Sequence, residues 1–110
     1  YRHQGMIDMA TESLKKVISQ KPNFTEAHLN LGYAYRDQDK LEEAVDTFNA
    51  ASQIDPYNYQ IFHELGITYM KQHRYTKAIV AFQQALKIQP EAIQTENNLK
   101  IAQARLTQHK

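Results

Sequence analysis

Cysteine is missing from this chain, which removes a disulfide frame, a thiol nucleophile and a thiolate metal site together. That fits a reducing compartment, and a cytoplasmic location is the expectation. Glycine and proline are scarce, three of each among 110 residues, while 42% of the residues are hydrophobic. Such a composition argues for an ordered chain rich in helix formers, with a single modest core. Charge of one sign is missing too: the formal balance is +1, no Lys/Arg run exceeds a pair, and there is no acidic block. A nucleic-acid partner normally needs a basic face or tail, so none is expected. No apolar run approaches the roughly 20 residues of a membrane span, and no stretch has the pattern of a signal peptide, so membrane insertion is not expected either.

What is present is a repeat. Within LGYAY (31–35), Gly32 interrupts an amphipathic helical pattern at a cost of roughly 0.8–1.0 kcal/mol relative to alanine. A second copy, LGITY, stands at 65–69. Sliding the chain by 34 residues superposes 25–58 on 59–92. Leu31, Gly32, Tyr35, Gln38, Ala44, Phe48, Ala51, Ile54 and Pro56 then fall on Leu65, Gly66, Tyr69, Gln72, Ala78, Phe82, Ala85, Ile88 and Pro90. The same register runs backwards through Tyr1, Ala10, Leu14, Val17 and Pro22, and decays forwards, where Lys100 replaces Gly66 and Gln103 replaces Tyr69. Fixed periods of 20–50 residues signal stacked repeats.

Each period reads as two helices, because its apolar residues follow three-and-four spacing. His28, Leu31, Ala34 and Tyr35 mark the first; Leu41, Ala44, Val45, Phe48 and Ala51 mark the second. Pro22, Pro56 and Pro90 close successive periods, since proline cannot continue a helix and restricts its predecessor. Thr25 is the expected N-cap of the helix that follows it. Helices are predicted near 5–19, 25–38, 41–54, 59–72, 75–88 and 92–108, with short turns that make neighbours antiparallel.

This pattern resembles the tetratricopeptide repeat (TPR) family. The family's Leu-Gly, Tyr, Ala, aromatic, Ala and Pro stand as Leu31-Gly32, Tyr35, Ala44, Phe48, Ala51 and Pro56, and recur from Leu65-Gly66 to Pro90; Gly5, Ala10 and Pro22 match the second half of an earlier copy. The resemblance implies an all-α fold, a right-handed α-solenoid of antiparallel helix pairs (the TPR superhelix). It divides the chain into a partial repeat at 1–24, full repeats at 25–58 and 59–92, and a capping helix at 93–110. Tyr1 would end a first helix whose front is missing, so the expectation is a fragment of a larger protein. Gly32 and Gly66 are then packing residues that let a second helix come close.

Enzyme chemistry finds little support. None of the five histidines, His3, His28, His63, His73 and His109, has another at i, i+4. His63-Glu64 lacks the second histidine of a zincin, and His28 shares the phase of Phe62, a packing position. Asp37, Asp39, Glu42 and Glu43 have no calcium-loop spacing, and no glycine loop could cradle a phosphate. No metal, no cofactor and no catalysis are expected. Tyr35 and Tyr69 read as core, and Met6 and Met9 as seam-filling residues more readily than a partner groove.

In the family, partners lie in the concave groove lined by the first helices, as extended peptides or short helices. With Gly and Tyr packed inward, the groove face falls on Glu26, Leu29, Asn30, Tyr33, Arg36 and Asp37 in one repeat. In the next it falls on Gln60, His63, Glu64, Ile67, Met70 and Lys71. Arg2 and His3 extend the line at one end; Asn97, Asn98, Ile101 and Arg105 extend it at the other. Asn30 stands where peptide-binding TPR proteins carry an asparagine able to donate to and accept from a peptide backbone; Asn98 shares its phase, with Glu64 between them. A carboxylate clamp is disfavoured: Leu29, Tyr33 and Glu64 stand where one register needs Lys, Asn and Asn, and Gln60 and Glu64 where the other needs Lys and Arg.

The expected function is therefore a non-enzymatic scaffold that binds a protein or peptide partner in this groove. Two alternatives stand beside it. One is self-assembly, a homo-oligomer formed through the incomplete N-terminal edge at Ile7, Leu14, Val17 and Ile18. The other is a substrate-recruiting arm of a larger enzyme.

Overall fold

The computed structural model describes residues 2–108, and the side chains of 5–108. Tyr1, His109 and Lys110, and the side chains of Arg2 and His3, lie outside the described residues, so the N-terminal extension of the groove line does as well. The described residues form six helices and no strand: α1 (Arg2–Gln20), α2 (Thr25–Asp37), α3 (Leu41–Ile54), α4 (Tyr59–Lys71), α5 (Tyr75–Ile88) and α6 (Ile93–Gln108). This is an all-α helical-repeat fold of the solenoid class. The chain divides into two compact units, Tyr1–Pro56 and Tyr57–Lys110. In the first, α2 packs between α1 and α3; in the second, α5 packs between α4 and α6, and α6 also touches α4.

The 34-residue register is the register of the core. Ala44, Phe48 and Ala51 of α3 are fully buried, and so are their counterparts Ala78, Phe82 and Ala85 of α5. Burying each phenylalanine stabilises by roughly 1.5–3 kcal/mol. The glycines make that burial possible. A Cβ built on Gly32 would lie 2.5 Å from Cε1 of Phe48, and one on Gly66 would lie 2.3 Å from Cε1 of Phe82. Both rings have no exposed surface to retreat into, so only a backbone without Cβ can pack there.

The helix ends repeat as faithfully. At the end of α2, Asp39 takes φ 62° while its N–H donates to the Arg36 carbonyl and the Lys40 N–H donates to the Tyr35 carbonyl. At the end of α4, His73 takes φ 59°, donates to Met70, and the Arg74 N–H donates to Tyr69. Both ends are Schellman closures that satisfy helix carbonyls, and both place a non-glycine in the left-handed region. Pro22, Pro56 and Pro90 each follow two residues after a helix ends.

Four expectations are corrected. Phe24, not Thr25, is the N-cap of α2; no side chain caps this end, and the Phe24 carbonyl accepts from the Ala27 and His28 N–H groups. α1 begins at Arg2 rather than near 5, and Gly5 takes no positive φ although it shares the phase of Asp39 and His73. Tyr35 is a half-buried flank rather than core, with Lys15 lying 5.8 Å from its ring centroid; Tyr69 is also half-buried but does pack against the buried Ala78, Phe82 and Ala102, with Lys77 5.9 Å from its centroid. Met6 and Met9 fill no seam among the described residues; they are 70% and 72% exposed. His28 is buried as its phase requires, and its Nε2–H donates to the Pro22 carbonyl at 2.9 Å.

Candidate functional site

In the first unit the candidates sit on α2 and divide by burial. Asn30 and Asp37 are exposed, while Tyr33 and Arg36 are half-buried. The Tyr33 ring meets Phe48 edge-on at 5.8 Å and 72°, and the Arg36 guanidinium lies 5.3 Å from the Tyr33 centroid and 5.9 Å from that of Phe48. Because Gly32 draws α2 onto α3, its neighbour Tyr33 reaches the same buried ring. Tyr33 is therefore partly a packing residue as well as a surface one. Leu29, placed on the groove face by its phase, is instead buried. Its counterpart His63 shows why: that phase lies at the seam with the second helix, where the His63 ring tilts over Phe82 at 6.0 Å.

In the second unit α4 and α6 lie side by side and run the same way, since residues from the starts of both line one hollow and residues from their later turns line another. The first hollow, about 400 Å³, is bordered by Tyr59, Gln60, His63 and Glu64 of α4 and by the segment 91–95 entering α6. His63 Nδ1 and Thr95 Oγ1 share a 2.7 Å hydrogen bond across it, and Thr95 is fully buried apart from 1% of its surface. Thr95 occupies the phase of Ala27 and Ile61, both core positions, so its hydroxyl needs this partner. The second hollow, about 360 Å³, is lined by Ile67, Met70 and Lys71 of α4, Asn98 and Arg105 of α6, and by His73 and Phe82. Helix periodicity explains the set: Ile67, Met70 and Lys71, and likewise Asn98 and Arg105, lie three, four or seven apart.

Six of the ten candidate residues thus gather on the α4/α6 side, His63 and Glu64 at one hollow, Ile67, Met70, Lys71 and Asn98 at the other. Asn30, Tyr33, Arg36 and Asp37 belong to α2 of the first unit. Tyr59, Glu91, Ile93 and His73 also border the hollows and were not on the groove line. Tyr59 and Ile93 share one phase and are both exposed, 38% and 72%, a signal present in the repeat register. Glu91 and His73 lie in turns, where helical phase has no bearing. Among the described residues no group of three or more His, Asp or Glu side chains is placed to hold a metal ion, and Asp37, Asp39, Glu42 and Glu43 are all exposed. No helix among them is long and apolar enough to cross a membrane.

Comparison with known proteins bears on the fold. The chain resembles the solved structure titled MamA MSR-1 C2 at 24% identity and a TM-score of 0.80, over 99% of this chain and 63% of that one. It resembles MamA AMB-1 at 23% identity and a TM-score of 0.82, over 99% and 64%. YrrB, described as a TPR protein with an unusual peptide-binding site, aligns at 26% identity and a TM-score of 0.81, over 86% of this chain and 48% of that one. The chain therefore spans about half to two thirds of the length of these solved proteins. No curated protein matches it. The family described as the tetratricopeptide repeat protein 21 C-terminal ARM domain matches residues 1–104, nearly the whole chain, and the protein belongs to that family of helical-repeat proteins.

Proposed function

We propose that this chain is a non-enzymatic interaction scaffold whose α4/α6 face receives a peptide or short helix of a protein partner. The observation that carries this reading is the two hollows along α4 and α6, one of them bordered by half-exposed Ile67, Met70 and Asn98, with charged side chains at both. Half-exposed apolar side chains beside amide and charged groups suit a polypeptide, which brings apolar side chains and backbone donors together. The likeness to YrrB, named for its peptide-binding site, supports the same reading. Asn30 on α2 is a second, separate contact point, because it is exposed and carries both a donor and an acceptor. A groove of this size gives micromolar binding, about −8 kcal/mol.

The test is affinity capture with the full-length protein and with an Ile67→Asp, Met70→Asp variant, followed by binding measurements on purified partners. The expected result is a partner held by the wild type and lost by the variant while the variant stays helical; some loss of melting temperature is expected, because Ile67 and Met70 also pack against Ala78, Phe82 and Ala102. A partner retained at full affinity by the variant contradicts the reading.

A further inference from the structure

The second unit is basic at one end, and that end adjoins its apolar floor. Lys71 closes α4 and Arg105 stands in the last turn of α6, and both border the hollow floored by Ile67 and Met70. The two cations stand 34 residues apart and so share one phase of the repeat, a phase that Asp37 holds in the repeat before. Repeat packing therefore does not require a cation there. His73 also borders a neighbouring hollow of about 480 Å³, where Lys77 and Leu106 are among its other neighbours. Among the described residues no aspartate or glutamate lines either hollow, and no ion pair engages Lys71, Lys77 or Arg105. The ends of α4 and α6 each carry about half a negative charge, and the start of α5 about half a positive one. Two whole cations exceed two half-charges, so this end stays basic.

We propose that this end of the second unit recognises an acidic segment of a protein partner, with an apolar side chain over Ile67 and Met70 and side-chain carboxylates at Lys71 and Arg105. This rests on the groove reading above and adds the chemical class of the occupant. Charge complementarity selects the acid, and the half-exposed apolar floor selects a polypeptide over a nucleic acid. The phenylalanine and tyrosine rings at these hollows, Phe82 and Tyr75, are buried, so neither is presented for stacking on a base. Asn98 adds an amide that both donates to and accepts from a peptide backbone. Spacing orders the occupant. Four helical residues from Ile67 to Lys71 span roughly 6 Å, which an extended chain covers in about two residues. Residues two apart in such a chain face the same side, so an apolar residue and the acid two positions on meet the floor and the cations together.

The test uses three labelled peptides blocked at both termini, so that only side chains carry charge. They share the pattern Leu-Ala-Xaa-Ala-Xaa, with glutamate, glutamine or lysine at both Xaa positions. Each is titrated with the intact chain by fluorescence anisotropy at low salt. The glutamate peptide is expected to bind about three- to tenfold more tightly than the glutamine peptide, as exposed ion pairs allow, and the lysine peptide least tightly. A Lys71→Glu, Arg105→Glu variant that keeps its helical circular dichroism is expected to invert that ranking. Equal affinities for the three peptides, or a ranking unmoved by the charge reversal, overturn the proposal. So does a short oligothymidylate that binds more tightly than the glutamate peptide. If the three affinities are equal and Ile67→Asp abolishes binding in a chain that stays helical, the groove reading survives without the charge selection. If Ile67→Asp changes nothing, the groove reading itself fails. Absence of binding by all three peptides overturns the acidic-segment proposal and leaves the groove to be judged by the capture experiment.

Discussion

The backbone of Gly66 lies against the ring of Phe82 so closely that a Cβ there would stand 2.3 Å from Cε1. The pair holds α4 onto α5, as Gly32 and Phe48 hold α2 onto α3. Helix propensity alone makes Gly66→Ala stabilising by about 1 kcal/mol. Overpacking against a fully buried ring costs about 1–3 kcal/mol and works the other way. A lower melting temperature is therefore expected for both Gly66→Ala and Gly32→Ala, and thermal unfolding of the two variants checks it. A raised melting temperature in either would remove the close-approach explanation.

Asp39 carries the opposite prediction. It holds φ 62° at the closure of α2, a conformation that costs an L residue roughly 1–2 kcal/mol and glycine almost nothing. Asp39→Gly is expected to stabilise the chain by about 0.5–1 kcal/mol, read from denaturant unfolding. His73 occupies the same position after α4 but also bonds Tyr75 Oη through Nδ1 at 2.8 Å, so His73→Gly gains less.

These two positions show what a single sequence makes legible. The Leu-Gly, aromatic and alanine positions recur every 34 residues because close packing tolerates few residue types there, so repetition exposes the core directly. The surface between them is free to vary, and phase alone does not reveal burial. Leu29 and His63 share a phase that places them on the groove line, yet Leu29 is buried and His63 braces α6. Tyr33 falls on the groove line by phase, but its ring is long enough to reach Phe48 anyway. Glu91 and His73 border the hollows from turns, where no periodicity points to them.

Thr95 tests the link between core and site. Thr95→Val keeps shape but removes the hydroxyl that bonds His63 Nδ1 across α4 and α6. A loss of about 0.5–1.5 kcal/mol is expected. Hydrogen exchange is expected to accelerate in α6 before it does in α5. Unchanged exchange in α6 would show that the bond does not fasten that helix.

Asn30 and Tyr33 are expected to separate in a paired measurement of affinity and stability. Asn30→Ala, on an exposed face, leaves the melting temperature within the range of ordinary surface changes while weakening partner binding. Tyr33→Ala lowers both, because its edge contact with Phe48 and the Arg36 guanidinium above it are lost together. Equal loss of stability in the two variants would contradict this division.

The most direct measurement of groove binding is an amide NMR titration of the intact chain with a peptide from the partner recovered by affinity capture. The expected shifts cluster at His63, Glu64, Ile67, Met70, Lys71 and Asn98, and leave exposed Val80 on α5 unmoved. Shifts centred on Val80 and the outer face of α5, with the α4/α6 residues silent, would contradict it.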